Sequence, residues 1–163
     1  ITKPTTARAH DVSCRMGITY TRDSVAWQRR EIRKKLQSFL STNKLSRRQY
    51  YRELQTSKLV ISPFGLGEIT LKDFEVFLTG GLLLKPDMSH MQTWPNFFQN
   101  NHTMLSFHWD LHDIQQCVEE AIANYKELVA IAQQGQNYYQ RYLRGVAAGQ
   151  LFCDHFMEII ESC

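Results

Sequence analysis

Two wholly apolar runs, Leu59-Val60-Ile61 and Leu82-Leu83-Leu84, stand one helix's length apart in the chain. Neither alternates with polar residues, which is the pattern of a strand buried on both faces. Between them lie Ser62-Pro63, a glycine turn Phe64-Gly65-Leu66-Gly67, and Thr70 with Asp73 three residues on, a capping-box pattern. The helix this starts is predicted to run to Thr79 and stop at Gly80-Gly81. A strand, a helix and a second buried strand in that order require a parallel pair joined by a crossover.

Flanking segments extend the same pattern. Val12 to Thr21, with Met16, Ile18, Thr19 and Tyr20, reads as a strand. Ser24 is positioned to cap a helix in which Val25, Ile32, Leu36, Phe39 and Leu40 recur at helical spacing, with Arg29, Arg30, Arg33, Lys34 and Lys35 between them, ending near Ser41. A second helix is expected from Ser46 to about Ser57. After a loop from Pro86 to Thr103, Met104 to Trp109 suits a short strand. Asp110 is then expected to cap a helix presenting Leu111, Ile114, Val118, Ala121, Ile122 and Tyr125 on one face, with further helix to Tyr142. Leu151, Phe152, His155, Phe156, Ile159 and Ile160 form an amphipathic end that must pack on something. The fold class is α/β, a Rossmann-like parallel sheet with helices on both faces and a helical C-terminal region.

The 163 residues, 43% hydrophobic, suit one domain spanning 1–163. No apolar run approaches the ~18 residues of a bilayer span, and Ile1 to His10 lacks a signal peptide's apolar core. No transmembrane segment is expected, and the cytoplasm is the default compartment. The opening on Ile1 rather than Met suits a piece of a longer protein. Cys14, Cys117, Cys153 and Cys163 show no C-x-x-C spacing, which argues against a zinc cluster or a disulfide framework. His108 and His112 are four apart without an evident third ligand, so no metal is expected. The sequon Asn101-His102-Thr103 carries little weight. From Arg22 to Lys58 the chain holds 11 Lys/Arg against Asp23, Glu31 and Glu53. That basic block is either a solvated face or a surface for an anionic partner.

In an open parallel sheet, ligands bind where the strands' carboxyl ends meet helix N-termini. Ser62 to Glu75 occupies such an end. Gly65 and Gly67 would let backbone approach a phosphate, the amides from Leu71 to Asp73 would donate to it, and Lys72 would neutralise its charge. Glu75, one turn into the helix, would accept hydrogen bonds from the two hydroxyls of a ribose. Arg22 is expected at the end of the first strand, within reach of a phosphate. Asp87 and His90 follow the next strand and either face the ligand or shape a turn. Trp94, Phe97 and Phe98 either pack beneath their loop or stack on a base or sugar.

The run from Ser62 to Glu75, with Gly80 five residues beyond it and then Leu82-Leu83-Leu84-Lys85-Pro86-Asp87, resembles the donor-binding motif of GT-B glycosyltransferases, most closely exostosin-like and related polysaccharide-assembly enzymes. The resemblance covers about 26 residues. It implies a nucleotide diphosphate sugar as substrate, no other cofactor, a glycan acceptor, and Glu75 as ribose ligand. The chain stands for one half of a GT-B fold, so a complementary N-terminal half or second chain would supply acceptor contacts and any catalytic base. Lys72 replaces the usual arginine, a point charge without its bidentate fork. Gly67 occupies the place of a second glutamate in related retaining enzymes, with Glu68 one position off. If the chain comes from an exostosin-like enzyme, the Golgi lumen replaces the cytoplasm. Nucleic acid is not a partner on this reading. The rival is a non-catalytic nucleotide- or polyanion-binding module using residues 22–58.

Overall fold

A computed structural model of the protein describes residues 1–162. Four strands, β1 (His10–Ser13), β2 (Ser57–Ile61), β3 (Leu82–Pro86) and β4 (Leu105–Phe107), form one parallel sheet in the order β1-β2-β3-β4. The Rossmann-like α/β expectation therefore holds. The two apolar runs lie side by side at the centre, with Leu59 opposite Leu82 and Ile61 opposite Leu84.

Alternate side chains of these strands feed two cores, as strand geometry demands. Leu59, Ile61, Leu82, Leu84 and Phe107 face one side and pack with α1 (Asp23–Leu36), α4 (Ile114–Ala123) and the first half of α5 (Tyr125–Tyr139). Val60 and Leu83 face the other, against α2 (Arg47–Thr56), α3 (Leu71–Thr79) and Phe97, Phe98 and Met104 of the long loop. Phe97 and Phe98 thus pack beneath that loop, while Trp94 stays at the surface. A π-helical turn (Gln140–Arg144) follows α5 and leads to α6 (Ala148–Glu161). None of α6's residues is buried. Its nearest aromatic support is Trp94, whose ring stacks on His155 at 4.4 Å.

Three sequence expectations are corrected. The first strand ends at Ser13 rather than running from Val12 to Thr21: residues 14–22 leave the sheet, and the Met16 amide donates to the Thr42 carbonyl instead. Helix α1 begins at Asp23 after Arg22, so Ser24 lies inside the first turn and caps nothing. Asp113, not Asp110, precedes α4, because Leu111 turns back through a left-handed conformation (φ 64°) while its side chain is fully buried.

The centre of the fold follows local chemistry closely. Asp73 accepts the Thr70 amide at 2.8 Å, the return half of a capping box. At the other end Gly80 adopts φ 69°, and a Cβ there would lie 2.4 Å from the Thr2 carbonyl, so only glycine both turns the chain and admits its neighbour. Arg8 then ties the N-terminal segment down by donating to the carbonyls of Leu54, Ser57 and Thr79.

Candidate functional site

At the carboxyl end of the sheet a cavity of about 350 Å³ opens between the first turns of α1, the glycine turn after β2, and Trp109 after β4. It lies within the size range of small-molecule sites. Arg22, Gly65, Gly67 and Glu68 line it, together with Ser24, Gln28, Trp27, Phe64 and Trp109. Of the eight residues expected to hold the nucleotide sugar, Arg22, Gly65, Gly67, Glu68, Lys72, Asp73, Glu75 and Asp87, the first four are thus brought together.

The glycine turn is pinned from α1. Arg29, buried in spite of its charge, donates twice to the Phe64 carbonyl, at 2.9 and 2.7 Å, and once to Gly17 at 3.2 Å. Gln28 accepts the Phe64 amide at 3.0 Å, and Arg22 donates to the Leu66 carbonyl at 3.0 Å. Neither cavity glycine adopts a left-handed backbone. Gly65 is closed in, its amide bonded to the Gly67 carbonyl at 2.9 Å and a Cβ there meeting Thr70 Cγ2 at 3.1 Å. Gly67 has open space beside it. No side chain caps α1, so its first-turn amides remain available beside Arg22.

The other four residues lie elsewhere. Asp73 is fully buried beneath the turn: Ser62 donates to its Oδ1 at 2.6 Å, Lys85 approaches its Oδ2 at 3.1 Å, and its amide donates to the Thr70 carbonyl. Its expected place at a phosphate is corrected to a structural one, since its carboxylate and amide are all engaged. Lys72 does not line the cavity, its ammonium donating to the Arg15 carbonyl in the segment that follows β1. Burial pushes its pKa down to about 8. Glu75 faces α2, where the Tyr50 and Tyr51 hydroxyls donate to its two carboxylate oxygens at 2.8 and 2.6 Å. Asp87 shapes a turn by accepting the Ser89 amide and hydroxyl, which holds its carboxyl below the usual range. Its carbonyl also accepts the Trp109 indole N–H at 2.7 Å, fixing that ring at the cavity wall.

Sequence reasoning missed Trp27, Gln28 and Trp109. Trp27 stands off the α1 stripe of Val25, Ile32 and Leu36 and is about half exposed, a large apolar side chain on a polar face. That mismatch is the signal that could have found it. The structure also supplies Asp113 as the third group beside His108 and His112. Arg29, counted in the basic block, belongs to no exposed surface, whereas Arg30, Arg33, Lys34, Lys35, Arg47 and Arg48 are exposed.

Among the described residues no helix is long and apolar enough to cross a membrane. The chain matches no protein-family model, and no curated protein is significantly similar to it.

Proposed function

We propose that the chain is the donor-binding half of a GT-B-type glycosyltransferase, taking a nucleotide diphosphate sugar for transfer to a glycan acceptor with a complementary half or second chain. The observation that supports this reading is the cavity at the carboxyl end of a parallel sheet, lined by the glycine turn, Arg22 and the uncapped start of α1. Arg22 and the α1 amides suit the diphosphate, whose departing charge they would stabilise. Glu68 suits sugar hydroxyls, and the rings of Trp27, Phe64 and Trp109 suit the flat face of a base or sugar. Glu75 joins the site only if it exchanges its tyrosine partners for ribose hydroxyls, and Lys72 only if its ammonium leaves the Arg15 carbonyl.

Titration calorimetry with uridine and guanosine diphosphates and their sugars tests the proposal. Gly67→Val is the informative variant, because a side chain there meets no neighbour in the fold yet projects from the cavity lining. Affinity should fall by about tenfold or more, at 1.4 kcal/mol per decade, with the melting temperature unmoved. Absence of nucleotide binding by the parent overturns the proposal. Binding that falls steeply with salt and follows Arg33, Lys34, Arg47 and Arg48 instead would favour the polyanion-binding module.

A further inference from the structure

We propose that His108, His112 and Asp113 hold a divalent transition-metal ion of the zinc class at the carboxyl end of β4. Each offers one ligand atom, and these atoms lie within 4.8 Å of one another. Two imidazoles and one carboxylate make the ligand set of an open zinc site, with a further position left for water or a bound molecule. Bonds of about 2.0–2.2 Å place tetrahedral ligand atoms roughly 3.3 Å apart, so closure asks each side chain to move by about an ångström. The two imidazoles are free to do so, their side chains being 69% and 61% exposed.

The backbone brings the three together. The left-handed Leu111 reverses the chain between β4 and α4, with its amide donating to the His108 carbonyl at 2.9 Å. This sets the His108 and His112 rings 4.6 Å apart. Asp113 is oriented through Oδ1, which accepts the His108 amide at 2.9 Å, and its Oδ2 lies 4.0 Å from His108 Nε2. Behind His112 stands Asp110, whose Oδ1 is 2.6 Å from Nδ1. With Nδ1–H donating to that carboxylate, Nε2 keeps its lone pair for a metal, the outer-shell arrangement that orients metal-bound histidines. The two carboxylates, Asp110 and Asp113, also match a divalent charge. Imidazole nitrogens in the set favour zinc, cobalt or nickel over magnesium or calcium.

Trp109, which lines the cavity, lies between the two histidines in the chain, but His108, His112 and Asp113 do not themselves line it. The assignment does not depend on the glycosyltransferase reading and stands or falls separately.

Calorimetric titration of the chain with zinc chloride, repeated with cobalt followed by absorption, tests it. The expected result is one ion per chain at micromolar affinity or tighter, with a cobalt spectrum lacking a thiolate band. His108→Asn and His112→Asn should each weaken zinc by at least about tenfold while the circular dichroism stays that of the parent. His155→Asn should bind as the parent does. No stoichiometric zinc binding, undiminished binding by both His108→Asn and His112→Asn, or a thiolate band overturns the site.

Discussion

Lys85 of β3 and Asp73 of α3 meet 3.1 Å apart with both side chains wholly withdrawn from solvent. The ammonium also lies 5.2 Å from the Phe64 ring and 5.8 Å from that of Phe98, so two aromatic rings stand beside it. The pair therefore fastens the strand to the helix directly beneath the glycine turn. Removing one partner strands the other charge in a dry site. Lys85→Met should cost about 3–5 kcal/mol in denaturant unfolding, and the double change Lys85→Met with Asp73→Asn, which removes the stranded charge but keeps an acceptor for Ser62 and Thr70, should recover part of it. A single variant as stable as the parent would show that the pair does not hold the turn.

Glu75 carries two hydroxyl donors on one carboxylate. Glu75→Gln should lower stability by about 1.5–3 kcal/mol, the range for hydrogen bonds to charged groups, and the double variant Tyr50→Phe with Tyr51→Phe should do similar harm. Chemical unfolding of the three proteins measures this. If the carboxylate also serves a ribose, the double tyrosine variant binds nucleotide at least as well as the parent, whereas Glu75→Gln binds less well.

Lys72 titrates near pH 8 in the folded chain, against an ordinary value of 10.5, because burial penalises its charge. Between those values the unfolded chain binds a proton that the folded chain has released, so the Lys72 contribution to stability rises with pH across that window. Below pH 8 both states are protonated and the penalty is felt in full. The stability difference between parent and Lys72→Met, measured from pH 7 to pH 10, should move in the parent's favour as pH rises. Making both measurements in a Cys14→Ala background removes the opposing contribution of Cys14, whose thiol burial pushes up to about 11 and whose charge couples to Lys72.

Helix α6 buries none of its side chains, and Phe152, Phe156, Met157 and Ile160 are each about half exposed. A chain ending at Gly145 should therefore lose less than about 1 kcal/mol of stability, while its retention on a hydrophobic column drops. Loss of cooperative unfolding after truncation would show that the contacts through Trp94 and Tyr142 support the core.

What was legible in the sequence is what local chemistry decides. The Thr70 and Asp73 box, the stop at Gly80 and the two central strands need only their own neighbours, and they stand where expected. The first strand was misplaced because Ile18, Thr19 and Tyr20 favour a strand in isolation, yet Tyr20 is drawn out to lie under the Arg29 guanidinium, 4.7 Å from its ring centre. The real strand, His10-Asp11-Val12-Ser13, reads as polar because it lies at the sheet's edge. For the candidate site, the glycine turn was visible and its partners were not. Trp109 reaches the cavity through a bond to Asp87, far back in the chain, and Asp73 was spoken for by a lysine on the next strand. Such partners appear only once the crossover is closed.

The anchoring of the first residues has a consequence for how the molecule comes into being. Thr2 donates its amide to Leu78 and receives at its carbonyl the side-chain amide of Gln136, 134 positions further along. Tyr125 reaches Thr5 in the same way. During synthesis the segment emerges long before those partners exist, and it must wait, unpaired, while the sheet forms behind it. Within this domain the segment that emerges ahead of its partners is therefore among the last to be locked, and a ribosome that stalls before Gln136 leaves that latch open.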